Sequence, residues 1–214
     1  MTAPLIDDAL LERARGLSSA TIHEAGKKVG PLPSQIRPIA PGIKVCGRAL
    51  PVHCTPGDNL FLHHAIYAAE PGDLLVVDCQ GQTENGYWGE IMAVAAQVRG
   101  IAGLVITGGV RDSARMTEIG FPVFSQGVCI RGTAKNSMGP GLVGEPVTLG
   151  DTTVHRGDLV FGDDDGVVVV PAARAAQVVE ESYRRDAEEQ ELFRRMRAGE
   201  STLAIYNLPD PHPN

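Results

Sequence analysis

Two short, uninterrupted apolar runs limit most strongly what this chain can fold into: residues 74–78 (LLVVD) and Leu104-Val105-Ile106. Neither alternates with polar residues, so each reads as a strand buried on both faces. Residues 90–99 lie between them and read as a helix carrying Ala, Val and Met. Upstream, residues 47–54 read as a strand. Pro56-Gly57-Asp58-Asn59 is a turn into a helix over 60–69, and Pro71-Gly72-Asp73 turns the chain into the first apolar run. Residues 122–125 form a further short strand. Strands and helices thus alternate to Phe124, and strands dominate afterwards. A hairpin is predicted over 143–149 and 152–155, and strands at 159–161 and 167–170 flank an acidic, solvated turn at 162–166. The pattern is that of an α/β domain with a mixed sheet.

At the ends, residues 7–17 read as an amphipathic helix, and Ser18 or Ser19 caps a second helix reaching through 23–28. Residues 174–199 form a long, highly charged helix, either solvated or packed on a neighbouring subunit, with an extended tail after it. No repeat or low-complexity linker divides the 214 residues, so one domain over 1–214 is expected. The net charge of −7 argues against a nucleic-acid duplex as the main ligand, yet leaves room for a small anion in a locally positive pocket. No run of about 18 apolar residues occurs, so no membrane span is expected. The first eight residues lack a basic start and an apolar run, so no signal peptide is expected. Cys46, Cys54, Cys79 and Cys129 form no CxxC pair and read as reduced thiols of a cytoplasmic protein.

The chemistry concentrates in residues 86–112, GYWGEIMAVAAQVRGIAGLVITGGVRD, which read loop, helix, strand, loop. Ligands of open α/β sheets gather beyond the carboxyl ends of strands. Gly108-Gly109-Val110-Arg111-Asp112 lies at such a place. Arg111 can hold a carboxylate in a bidentate fork, and Asp112 offers hard oxygens to a divalent cation. The alternative reading of Arg111-Asp112 is a surface turn or a structural pair. Upstream, Glu90 opens the helix over 90–99, where it serves a site or merely favours the helix dipole. His63 and His64 point about 100° apart on a helix and cannot share one metal. No HxxxH, HExxH, P-loop or GxGxxG occurs, and none of the four lysines lies in a buried strand, so a Schiff-base enzyme is poorly supported.

Several segments together resemble the metal-dependent class II pyruvate aldolases of the 4-hydroxy-4-methyl-2-oxoglutarate/4-carboxy-4-hydroxy-2-oxoadipate type. That family also includes the RraA-like regulators of ribonuclease E. The segments are PGDNL (56–60), PGDLLVVD (71–78), WGE (88–90), GIAGLVITGGVRDSA (100–114), GFPVFSQG (120–127), VHRGDLVFGDDDGVVVVP (154–171) and AGES (198–201). The resemblance runs from about residue 20 to 206 and implies an α-β-β-α sandwich with a central mixed sheet, assembled as trimers or hexamers with the site between subunits. It makes Arg111 a contact of the pyruvyl group and Asp112 the anchor of Mg²⁺ or Mn²⁺. Glu90, where the family usually has Asp, would reach a metal-bound water. The backbone amides of Ile91 and Met92 would bind the substrate carboxylate. Asn59 and Lys135 are carried over as substrate contacts, and Glu189, with Glu188 next in line, would enter the neighbouring site. The implied activity is retro-aldol cleavage of a 4-hydroxy-2-oxo diacid to pyruvate, with oxaloacetate decarboxylation as a side activity. A non-catalytic regulator acting by protein contact, and a metal-dependent lyase on another oxo-acid, are the alternatives.

Overall fold

The computed structural model describes residues 6–136 and 139–209. Helices α1 (Asp8–Arg15) and α2 (Ser19–Ala25) precede strands β1 (Arg37–Pro38) and β2 (Val45–His53). Then follow α3 (Leu60–Ala68), β3 (Asp73–Asp78), β4 (Gly86–Trp88), α4 (Glu90–Val98), β5 (Gly103–Val110), α5 (Ser113–Glu118) and β6 (Val123–Val128). The remainder comprises β7 (Leu142–Val143), β8 (Val147–Leu149), β9 (Thr152–Val154), β10 (Leu159–Asp163), β11 (Gly166–Val170), a 3₁₀ turn (Ala172–Arg174), α6 (Ala175–Arg197) and α7 (Thr202–Ile205).

The main sheet runs β1-β6-β5-β3-β2-β10-β11, with β4 added to β5 and β7 added to β2. Pairings β2–β3, β3–β5, β4–β5 and β5–β6 are parallel, whereas β2–β10 and β10–β11 are antiparallel, so the sheet is mixed. It nearly closes on itself. Arg37 of β1 donates to the carbonyls of Asp164 and Asp165 beyond β10, at 3.2 and 3.0 Å.

Side-chain alternation divides the apolar residues into three clusters. Leu74 and Val76 of β3, Val105 of β5, Val160 of β10 and Val167 and Val169 of β11 point into the sheet's interior. Leu75, Val77, Leu104 and Ile106 point outward, onto Leu62, Ile66, Met92, Ala96 and Met116 of α3, α4 and α5. On the opposite outer face, Leu159, Phe161, Val168 and Val170 meet Leu11 and Ala14 of α1, Ile22 of α2, and Val178 and Val179 of α6. The layering is helix, sheet, sheet, helix, as expected. The strands read as continuous apolar runs because both of their faces are covered.

Several details differ from the sequence reading. The tail is not extended throughout but turns through α7, capped by Ser201; residues 142–143 leave the expected hairpin strand to pair with β2; and residues 86–88, read as loop, form β4 against β5. Helix α2 ends at Ala25, and Lys27 and Lys28 take left-handed φ values of 59° and 61°, so the helix cannot run on to residue 28. The first turns of α6 bury Ala175, Val178, Val179 and Ser182 within the same chain, so the charged helix is neither wholly solvated nor reserved for a neighbour. The acidic turn is not simply solvated. Asp163 is buried, and its carboxylate accepts from Ser19 N–H at 2.9 Å, Ser19 Oγ at 2.5 Å and Asp165 N–H at 3.1 Å. That residue ties β10 to the start of α2, where free amides need an acceptor. Asp163→Ala should therefore lower the unfolding free energy by roughly 2–3 kcal/mol, the scale of losing charge-assisted bonds to buried donors. Urea denaturation with an unchanged m-value checks this.

Candidate active site

The carboxyl ends of β4 and β5 meet because small residues permit it. A Cβ on Gly108 would lie 2.6 Å from the Tyr87 ring, and one on Gly109 would lie 2.7 Å from the Thr83 carbonyl. Beyond this contact, Arg111 N–H donates to the Trp88 carbonyl at 2.8 Å, which fixes the direction in which its side chain leaves the strand. Gly86 and Gly89 make room for that side chain. Their Cβ atoms would lie 3.2 Å from Arg111 Cβ and Cγ respectively, and a Cβ on Gly89 would also come within 2.5 Å of Asp112 Oδ2.

Asp112 takes a left-handed conformation, with φ 56° and ψ 32°, at the position that caps α5. This is an uncommon backbone for a residue with a Cβ. Its carboxylate does not cap its own helix. Oδ2 accepts instead from Glu90 N–H, the first amide of α4, at 3.1 Å. The Arg111 guanidinium lies 4.0 Å from the same oxygen, and both side chains are nearly half exposed, at 49% and 43%.

These residues line a cavity of about 230 Å³ together with Asn59, His63, Gly86, Tyr87, Gly89, Ile91, Met92 and Lys135. Six of the residues expected from the sequence thus converge: Arg111, Asp112, Asn59, Ile91, Met92 and Lys135. Lys135 arrives on a segment laced to the turn before α3. Asn59 N–H donates to the Ala134 carbonyl at 3.1 Å, and Ala134 N–H to the Gly57 carbonyl at 2.8 Å. The turn is held in its own right by Gly57 N–H donating to Tyr87 Oη at 2.7 Å. Burial pushes that phenol up to about 12, so it remains protonated. The two amides expected to bind a carboxylate differ. Met92 N–H is already given to the Gly89 carbonyl at 3.1 Å, whereas Ile91 N–H has no acceptor among the described residues.

Glu90 and Glu189 stand elsewhere. Glu90 contributes its amide to Asp112, but its carboxylate turns to Arg115 Nε of α5 at 3.2 Å and does not line the cavity. Glu189 pairs with Arg185 at 2.9 Å, and Glu188 lies 4.0 Å from Arg184. Both sit on α6, in the helical layer across the sheet from α3, α4 and α5. Among the described residues no group of three or more His, Cys, Asp or Glu side chains could hold a metal ion. A single cavity carboxylate nevertheless suits Mg²⁺ or Mn²⁺, because such ions keep several waters and are held by one or two carboxylates plus substrate oxygens.

One cavity residue escaped the sequence reading. His63 was considered only as a metal ligand paired with His64, but it lies one helical turn after Asn59, and that i, i+4 spacing brings both to one wall. Its Nε2 is buried without a partner, as is Asn59 Oδ1. Burial, and secondarily the Lys135 ammonium, lower the His63 pKa below the ordinary 6.5. The imidazole is therefore neutral at pH 7, and the unfolded chain binds the extra proton. Stability linked to this group is complete above pH 6.5 and declines as the pH falls through that value towards the folded pKa. An NMR titration should give His63 a midpoint below 6.5. Lys135→Met should raise that midpoint only in part, since burial is the larger cause.

Comparison with known proteins identifies the family and the fold. The RraA-like family model, described as Aldolase/RraA, matches residues 2–169, and the chain belongs to that family. A protein of Halalkalibacterium halodurans, provisionally named a 4-hydroxy-4-methyl-2-oxoglutarate aldolase, is 30% identical over 200 residues, covering 94% of each chain. An uncharacterised protein of Pseudomonas syringae superposes with a TM-score of 0.83 at 26% identity, covering 94% of each chain. Streptomyces coelicolor RraAS2, described as an unusual member of the RNase ES inhibitor RraA protein family, gives a TM-score of 0.74 at 31% identity, covering 89% of this chain and 98% of that one. No helix among the described residues is long and apolar enough to cross a membrane.

Proposed function

We propose that the protein is a divalent-metal-dependent aldolase. It cleaves a 4-hydroxy-2-oxo acid, the dicarboxylate 4-hydroxy-4-methyl-2-oxoglutarate or the tricarboxylate 4-carboxy-4-hydroxy-2-oxoadipate, to pyruvate and a second oxo-acid. The observation that carries this reading is the convergence of two cations, Arg111 and Lys135, with the carboxylate of Asp112 in one small cavity. Two cations suit a dianion, even on a chain of net charge −7.

In retro-aldol cleavage the C3–C4 bond breaks and its electron pair enters the enolate of pyruvate. The 4-hydroxyl loses its proton, C4 becomes a carbonyl, and C3 then takes a proton from water. Negative charge grows on the 2-oxo oxygen, so a fixed positive group must stand there beforehand. Arg111 supplies one, and its planar fork orients the 2-oxo carboxylate. Ile91 N–H adds a neutral donor at the start of α4. Lys135 takes the distal carboxylate. Mg²⁺ or Mn²⁺, held by Asp112, would supply Lewis-acid stabilisation of the enolate charge. Glu90 joins that site only by leaving Arg115.

The family resemblance puts such sites between subunits, and Ile91, Val94 and Val98 leave an exposed apolar face on α4 suited to one. We extend the proposal to a trimer or hexamer in which Glu189 of a second copy reaches the cavity and takes the 4-hydroxyl proton through a water. Decarboxylation of oxaloacetate, which needs the same enolate, is proposed as a side activity, and a cytoplasmic location fits the reduced cysteines. A second reading, a regulator acting by protein contact, is favoured by the 31% identity to RraAS2.

Release of pyruvate from 4-hydroxy-4-methyl-2-oxoglutarate distinguishes the two. It should require Mg²⁺ or Mn²⁺, stop in excess chelator and return when metal is restored. Arg111→Lys keeps the charge but loses the fork, and kcat/KM should fall roughly 10²-fold, part of it in kcat. No pyruvate release under any metal would favour the regulator, and a folded Arg111→Lys variant of normal kcat would remove Arg111 from catalysis.

A further inference from the structure

Two buried polar atoms in the cavity wall have no hydrogen-bond partner: Asn59 Oδ1 and His63 Nε2. They belong to one turn of α3, where His63 N–H lies 3.4 Å from the Asn59 carbonyl. The Asn59 amide is not free to rotate. Its Nδ2 donates to the Tyr87 carbonyl at 2.8 Å and approaches Met92 Sδ at 3.4 Å, so Oδ1 is the atom left without a partner on this lining residue. Buried polar groups destabilise a protein unless they are paired, and a ligand that pairs them recovers that cost. The two atoms thus describe what is missing.

Asn59 Oδ1 can only accept a hydrogen bond, whereas a neutral imidazole nitrogen donates or accepts according to its tautomer. A carboxylate placed here would set oxygen against the Asn59 oxygen. A hydroxyl satisfies both atoms in the bound substrate: its O–H donates to Oδ1 while its oxygen accepts from Nε2–H, and on cleavage the O–H turns from Oδ1 to the water that carries its proton away while the Nε2–H bond to the oxygen is kept. The carboxylates of an oxo diacid have Arg111 and Lys135 in the same cavity. We propose that His63 and Asn59 form a hydroxyl-reading subsite, and that His63 selects oxo-acids bearing a 4-hydroxyl. This deepens the aldolase reading and rests on it. A site built to bond a substrate hydroxyl discriminates strongly against analogues that lack one, because its own polar groups are then left unpaired.

The test compares two ligands on the magnesium-loaded protein. 4-Hydroxy-4-methyl-2-oxoglutarate carries the hydroxyl, whereas pyruvate, as a competitive inhibitor of the same reaction, has the 2-oxo carboxylate without it. In His63→Phe, kcat/KM for cleavage should fall at least tenfold more than the pyruvate inhibition constant rises. His63→Gln keeps an N–H donor and should recover part of the loss. If the phenyl variant fails to fold, His63→Ala is read by the same ratio. Parallel weakening towards both ligands would make His63 a structural residue and overturn the subsite alone, as would unchanged cleavage. A wild-type protein that cleaves no 4-hydroxy-2-oxo acid overturns the aldolase reading and the subsite with it.

Discussion

The close contact of β4 with the carboxyl end of β5 underlies the whole site. Backbone meets backbone and ring there at distances that leave no space for a Cβ on Gly108 or Gly109. The glycines are needed for proximity more than for unusual torsion, since neither has a positive φ. Because the strands touch, the Trp88 carbonyl can take the Arg111 amide, and the Asp112 carboxylate can reach the first amide of α4. Three elements that would otherwise end separately in solvent are thereby locked around one cavity. The left-handed backbone of Asp112 is a local cost that the surrounding contacts hold in place.

The electrostatics of the cavity run against those of the chain. The protein is acidic overall, yet Arg111, Lys135 and the Ile91 amide of α4 leave a locally positive wall beside Asp112. Glu90 would cancel part of that field if its carboxylate faced inward, but Arg115 holds it outside. Likewise His63 contributes no cation at neutral pH, because burial and the neighbouring ammonium both disfavour its charged form. The cavity therefore offers two cations, the Asp112 carboxylate and two neutral polar atoms, a division suited to a ligand with both charged and neutral oxygens.

Legibility in the sequence followed the range of the interaction concerned. The apolar runs of β3 and β5, and the helix between them, were readable because burial on both faces leaves a local trace. The sheet-end position of Arg111 and Asp112 was also readable, since glycines following a buried apolar run mark where ligands of such sheets gather, although Gly108 and Gly109 prove to lie within β5 and not in a loop. His63 was not recognised for its role. Its partner in the wall, Asn59, lies in a turn whose approach to the cavity depends on the Tyr87 hydroxyl nearly thirty residues away. The acidic turn was misread for a similar reason. Asp163 looks like a solvated carboxylate until α2 is seen to bring the Ser19 amide and hydroxyl to it.

By itself the sequence determined the order of elements, the two-faced burial of the central strands, and the residue types available for anion and metal chemistry. These depend on local hydrophobic pattern and on side-chain chemistry, which travel with the chain. Tertiary structure alone decided which polar groups are left without partners and which are already spent. It turned Glu90 towards Arg115, consumed the Met92 amide within its own turn, left the Ile91 amide free, and set Asn59 and His63 side by side against the cavity. The physical reason is that hydrogen bonding is short-ranged and directional. A group's availability depends on what the fold brings within about 3 Å of it, and no local pattern in the sequence records that distance.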